Sequence, residues 1–264
     1  LEGGPPSPGG KGGGGDEGEK EITLGGRKLF LTHLKKVFWP GEGYTKGDLI
    51  DYYRRVSGLL LPYLKDRPQN LYRTPDGVRG EGFYHKEMGE LPPGWVLTKK
   101  IYSDSNQKEI NYLICNDEAT LIYMVNLGCV EINPWSSRIG HIDSPDYAVL
   151  DLDPVEVPFG RVIDAALAVK EVLDLAGVPA FVKTSGATGM HIYIPLGAKY
   201  DYDVARDFIH LIGRIARDRA KDFTSLERIP SRRRKRVYFD YLQNRAGQTL
   251  VAPYSVRPRP GATV

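Results

Sequence analysis

Three long stretches of the chain repeat apolar side chains at helical spacing. In TKGDLIDYYRRVSGLLLPYL (residues 45–64), Leu49, Tyr53, Val56 and Leu60 share a face. Thr45, with Asp48 three residues on, makes a helix-start signal there. Residues 158–177 turn Val162, Ala166, Val169 and Leu173 inward and stop at Gly177. Residues 203–219 put Phe208, Leu211, Ile212 and Ile215 on one side. Between and around these helices, QNLYRTP, EGFYHK, ATLIYMVNLG, CVEINPW, YAVLDLDP, AFVKTS, MHIYIPL and RVYFDYL read as strands. No internal repeat is visible. Short strands mixed with three helices predict an α/β or α+β fold.

The first 26 residues, LEGGPPSPGGKGGGGDEGEKEITLGG, are rich in Gly and Pro and poor in apolar side chains. That composition predicts a flexible linker over 1–26 and a folded domain over 27–264. With no initiator Met, the linker is what a module taken from a longer polypeptide would show. The 264 residues, 41% hydrophobic and 26% charged, can bury a substantial core. No run approaches the roughly 18 uninterrupted apolar residues of a membrane span, and no signal peptide opens the chain. No membrane partner is expected. Cys115 and Cys129 both lie in apolar runs, which predicts buried thiols in a reducing, cytoplasmic setting. The net charge is only +3, but Ser231–Arg236 (SRRRKR) sets five basic residues directly before a strand. Such a run inside folded structure predicts a phosphate-facing patch.

The chemistry gathers in the second half. In YAVLDLDP (147–154), Ala148, Leu150 and Leu152 point one way, and Val149, Asp151 and Asp153 the other. Two carboxylates on one face, their Cα atoms about 6.6 Å apart, repel unless a cation lies between them. Hard divalent ions with oxygen ligands, Mg²⁺ or Mn²⁺, suit that place. In KTSGATGMHIYIPL (183–196), a two-glycine loop interrupts a strand. Its backbone N–H groups can approach an anion, with Ser185, Thr188 and His191 as side-chain donors. In RVYFDYLQN, Asp240 stands among apolar neighbours and is a third candidate ligand. Carboxylates, a phosphate loop and a basic run together suit metal-assisted phosphoryl or nucleotidyl transfer with two ions.

The order DLDP, SGATGMHIYIPL, FDYLQN and VAPYSVRPRPGA resembles the polymerase domain of bacterial and archaeal DNA ligase D, of the archaeo-eukaryotic primase superfamily. LTHLKKVFWP, TKGDLIDYY, LYRTPDGV and EINPWSSR extend the likeness, so that it covers about Lys28 to Val264. The resemblance implies a primase-type fold, a mixed or antiparallel β core flanked by helices. It implies template-directed addition of nucleotides, with ribonucleotides favoured, at gaps and ends during non-homologous end joining. It also implies that Asp151, Asp153 and Asp240 bind Mn²⁺ or Mg²⁺, two ions in all. Ser185, Gly186, His191 and Arg257 would meet the nucleoside triphosphate, and Asn133 would stand near it. Asn133 occupies a position where many relatives carry His, and Thr188 one where many carry Lys; both changes are expected to weaken nucleotide contact. Lys36 and Lys46 would hold the recessed 5′-phosphate of DNA. Phe83 and Tyr84 would pack on template at roughly 1–3 kcal/mol per stacked base, although core packing is expected for at least one of them. Lys65, Arg67, Lys99 and Lys100 offer an alternative, general backbone-tracking surface. Partners implied are DNA, the Ku end-binding protein and a ligase domain, in a nucleoid-associated location. Two other readings are a haloacid-dehalogenase-type phosphatase, whose nucleophile strand also ends in DxD, and a non-catalytic DNA-end-bridging module.

Overall fold

The chain enters its fold earlier than its Gly and Pro content predicts. The computed structural model describes residues 18–89, 92–103, 106–233 and 235–264. Lys20–Leu24 (β1) and Arg27–Leu31 (β2) already form an antiparallel hairpin. Gly25 and Gly26 make its turn with φ of 53° and 78°, values that side chains resist and glycine accepts. Leu24, Leu29 and Leu31 are buried. The predicted linker over 1–26 is therefore corrected for residues 20–26. There a period-2 alternation (Ile22 and Leu24 against Glu21 and Thr23) outweighs the bulk composition. Residues 1–17 of that linker lie outside the described residues.

Val37–Trp39 (β3) and Tyr44–Thr45 (β4) pair just before helix Lys46–Leu64 (α1). The capping box expected from Thr45 and Asp48 is formed: Thr45 Oγ1 accepts from Asp48 N, and Asp48 Oδ2 accepts from Thr45 N. Leu49, Tyr53 and Leu60 are buried as expected. Gln69–Arg73 (β5), Phe83–His85 (β6), Thr98–Ser103 (β7) and Lys108–Leu113 (β8) follow. The run ATLIYMVNLG, expected to be a strand, is instead helix Glu118–Asn126 (α2), leading to Cys129–Pro134 (β9). Asp117 caps the helix by accepting from Thr120 N at 2.8 Å. A short apolar run carries no period of its own, so the cap and burial decide its form. Strands β6, β5 and β9 make one antiparallel sheet, with α1 and α2 packed on the same apolar core.

The second layer starts with Tyr147–Pro154 (β10) and helix Phe159–Leu175 (α3). Phe181–Thr184 (β11), Met190–Pro195 (β12) and helix Tyr202–Arg219 (α4) follow, then Thr224–Ser225 (β13) and Val237–Asp240 (β14). The five strands stand in the order β11-β12-β10-β14-β13. All their pairings are antiparallel except β13 with β14. One face packs Ala148, Leu150, Leu152, Ile192, Ile194, Val237 and Phe239 against α3 and α4. The inward face of α4 is Ala205, Ile209, Ile212 and Ala216; Leu211 and Ile215, expected inside, are exposed. Its small residues let the helix lie close to the sheet, while Ile209 and Ile212 fill the space beside them and Leu211 and Ile215 stay outside.

The last segment stitches the layers together. Asn244 accepts from Val149 N and donates to Val149 O, both at 2.7 Å, as a strand partner for β10 would. Ser255 Oγ accepts from Ile132 N on β9, and Val256 N donates to the Tyr53 hydroxyl on α1. The open face of the five-stranded sheet thus looks toward the first layer. Both cysteines are buried and unpaired, as expected.

Candidate active site

Strand register gathers the acidic residues. Asp151 pairs with Asp240 across β10 and β14, and Asp153 lies two residues along β10, so all three share the open face. Asp151 is buried, and its Oδ1 has no hydrogen-bond partner among the described residues. Burial, then the charges of Asp153 and Asp240, push the Asp151 carboxyl well above its ordinary range. Asp153 is raised by burial and by Asp240. A buried, unpartnered carboxylate oxygen among like charges is a fit for a cation and a misfit for an empty interior. The set is not yet closed: among the described residues no three ligating side chains already converge. Asp240 is held by its own turn, accepting from Leu242 N at 2.8 Å and from Gln243 Nε2 at 3.4 Å.

The glycine loop sits against the end of that face. Ser185 Oγ accepts from Ala187 N and Gly189 N, at 3.2 and 3.0 Å, which shapes the loop; among the described residues its hydroxyl proton has no acceptor. A Cβ at Gly189 would overlap the Leu152 carbonyl oxygen, and one at Gly186 (φ 70°) would lie 2.8 Å from Arg257 Cγ. Gly189→Ala should therefore displace the loop from β10, lowering thermal stability and raising the KM for nucleotide; an unchanged melting curve would contradict this packing. His191 pairs with Asp151 in register, and its Nε2 lies 3.5 Å from Asp151 Oδ1, without hydrogen-bond alignment. Burial, then the charges of Lys183 and Arg257, hold the imidazole pKa down to about 2. His191 is thus neutral at pH 7, and the contact is not an ion pair.

Arg257 reaches the face from the closing segment. Its Nε lies 3.0 Å from Glu131 Oε2, an ionic contact rather than an aligned hydrogen bond. Asn133, two residues along β9 from Glu131, is buried beside it, its Nδ2 3.4 Å from the Glu131 carbonyl. Arg233, from the basic run, packs 3.7 Å from the Tyr238 ring centroid and opposes part of the rise in the Asp153 carboxyl. Carbonyls of Glu227 and Arg228 hold its guanidinium.

A second cationic site lies away from the carboxylates. A cavity of about 280 Å³ is lined by Lys36, Lys46, Arg73, His33, Thr32 and Asn126 among others. The buried Lys46 ammonium donates to Thr32 O at 2.7 Å and Asn126 Oδ1 at 2.9 Å. Burial, then Lys36 and Arg73, lower its pKa to about 8. Lys36 lies 2.6 Å from the exposed Asp76 carboxylate. The first N–H groups of α1 are not free for an anion. Lys46 N, Gly47 N and Asp48 N donate to Lys36 O, Leu34 O and Thr45 Oγ1. The ammonium groups, not the helix end, make this site positive.

Phe83 and Tyr84 are 45% and 58% exposed, so neither belongs to the core as was expected of one. They point to opposite faces of β6: Phe83 lies under Arg73, and Tyr84 edges against Tyr72. Arg67 leaves the proposed backbone-tracking surface altogether. It is buried, paired with Asp146, and supports the Tyr147 ring. Sequence reading singled out neither Glu131, Arg73, His33 nor Lys183. Alternation would have placed Lys183 on the face of the aspartates once β11 was paired with β12.

A largely antiparallel sheet backed by two helices, with acidic residues on its open face and a glycine loop at its edge, is the frame of a primase-type nucleotidyltransferase. Residues 45–264 match the model for the LigD primase-polymerase domain, and the chain belongs to that family. It is 34% identical over 237 residues to the multifunctional non-homologous end joining protein LigD of Pseudomonas aeruginosa, covering 89% of this chain and 28% of that protein. It is 32% identical over 240 residues to the bifunctional non-homologous end joining protein LigD of Bacillus subtilis, covering 90% and 38%. The chain thus spans about a third of these relatives. The polymerase domain from Mycobacterium tuberculosis ligase D, solved in complex with DNA, superposes with a TM-score of 0.83 at 27% identity, covering 89% of this chain and 85% of that one. Family membership removes the phosphatase reading. Among the described residues, no helix is long and apolar enough to cross a membrane.

Proposed function

We propose that this domain performs template-directed nucleotide addition, with ribonucleotides favoured, at gaps and ends of broken DNA during non-homologous end joining. The observation that carries the reading is the buried Asp151 carboxylate, its Oδ1 without a partner among the described residues, sharing an open sheet face with Asp153 and Asp240 beside a glycine loop. These three residues would hold two divalent ions, Mn²⁺ or Mg²⁺, whose charge when bound steadies the attacking and leaving oxygens of an in-line displacement. Ser185 would donate its hydroxyl proton to the triphosphate, and the loop backbone at Gly186 would lie along its path. Neutral His191 would donate from one ring nitrogen without adding charge. Arg257, anchored through Nε on Glu131, would keep its two terminal nitrogens for phosphate. Asn133 would stand near the sugar, and the exposed Phe83 and Tyr84 would meet template bases. Lys36 and Lys46 would take the recessed 5′-phosphate. Ku and a ligase domain or subunit are the proposed partners, in the nucleoid-associated cytoplasm.

The test is a 5′-phosphorylated gapped duplex offered with Mn²⁺ and either ribo- or deoxyribonucleoside triphosphate. Template-matched extension, faster with the ribonucleotide, is expected. Tight binding to the gap without extension would leave only the end-bridging reading standing.

A further inference from the structure

We propose that Lys183 is a nucleotide contact, an ammonium that grips the β- and γ-phosphates at the far end of the triphosphate and the pyrophosphate after it departs. The proposal rests on the polymerase reading above and names a residue that the reading does not use. Lys183 pairs with His191, and His191 with Asp151, across β11, β12 and β10, so the three side chains share the open face. Lys183 stands two strand spacings, about 9.6 Å, from the Asp151 backbone. A chain of phosphates whose first member sits at the carboxylates would run in that direction, over His191.

The charge pattern calls for a cation there. The loop Ser185–Gly189 contains no basic side chain, and the Ser185 oxygen is already engaged by two loop N–H groups. Positive charge must come from the flanks: Arg257 packs on Gly186 at one side, and Lys183 stands at the loop's base on the other. Arg257 is partly neutralised by Glu131. The Lys183 ammonium donates only to the Thr184 carbonyl, at 3.0 Å, with no carboxylate at ion-pair distance among the described residues. It is half-buried and lines a groove of about 710 Å³ together with Tyr63, Tyr147, Tyr193, Tyr254, Phe181 and Asp146. Its remaining two protons await an acceptor from outside.

The experiment separates phosphate binding from catalysis. Native protein, Lys183→Met and Lys183→Arg are titrated calorimetrically with inorganic tripolyphosphate at fixed Mn²⁺. The Met variant should bind roughly tenfold more weakly or worse, the loss of one charge-assisted hydrogen bond, and Arg should recover most of that. The KM for nucleotide should rise in parallel, with gapped-DNA affinity and melting temperature unchanged. Unaltered tripolyphosphate affinity in Lys183→Met, while native protein extends primers, overturns this inference and leaves the polymerase reading intact. A Met variant that loses DNA affinity and melting temperature together shows a merely structural lysine, and overturns it too. If native protein adds no nucleotide at all, the polymerase reading falls and takes this ligand with it.

Discussion

Asp151→Asn is expected to abolish nucleotide addition while making the metal-free protein more stable. Both effects come from one geometry. Asp151 is buried, its Oδ1 has no partner among the described residues, and Asp153 and Asp240 share its face. Burial and those like charges raise its folded-state pKa above the unfolded value. The sign follows: a raised carboxyl binds more protons folded than unfolded, so stability falls as pH climbs from the ordinary carboxyl range through the folded value. At pH 7 the penalty is present, and an uncharged isostere removes it. Each kcal/mol regained shifts the melting temperature by about 2–4 °C in a domain of this size. Mn²⁺ should raise the melting temperature of native protein and do little for the variant. Extension should drop by roughly 10²–10³-fold or more, the scale lost with one preorganised charge-stabilising group, while gapped-DNA binding holds. Native-like extension by Asp151→Asn would exclude the carboxylate from the reaction. A lower metal-free melting temperature would show that its charge is compensated by something other than a cation.

That geometry was partly legible beforehand. Alternation along YAVLDLDP places both aspartates on one face, and the structure keeps them there, with Leu150 and Leu152 in the core. Helices with long apolar stripes and clear end signals were equally legible: residues 45–64 and 158–177 were expected, Lys46–Leu64 and Phe159–Leu175 observed. The failures have physical causes. KEITLGGRKLFL hides a hairpin because its neighbourhood is dominated by Gly and Pro. ATLIYMVNLG is mostly apolar on every face, so no period separates helix from strand, and its Asp117 cap lies just outside the run. The α4 stripe was read from its largest residues, whereas close packing on the sheet selects Ala205, Gly213 and Ala216. Long-range pairing is written in no local pattern. The meeting of Glu131 with Arg257, 126 positions apart along the chain, is therefore visible only once β9 and the closing segment are folded. The same holds for Lys183, whose place follows from the β11–β12 register.

Removing the 5′-phosphate from the downstream strand of a gap should weaken binding by native protein roughly 10- to 100-fold, the scale of one charge-assisted contact or more. Lys36→Ala, Lys46→Ala should bind both substrates about equally. The distinguishing signature is pH. A terminal phosphate gains its second charge near pH 6, so discrimination should rise through that range. It should fall again above about 8, where Lys46, held down first by burial and then by Lys36 and Arg73, gives up its proton. A bound phosphate favours the ammonium and moves that descending limb somewhat higher. Stability should move the other way. With a folded pKa of about 8 against the ordinary 10.5, the unfolded chain binds the extra proton between those values, so Lys46 makes the fold more stable as pH rises across them. Loss of discrimination accompanied by a steady or rising melting temperature thus marks titration of the pocket, not unfolding. The Lys46→Arg variant should lose the descending limb, since a guanidinium keeps its charge. Equal discrimination by native and doubly substituted proteins across pH 6–10 would place the phosphate site elsewhere. The cavity beside α1 would then be a structural void that three basic side chains happen to line.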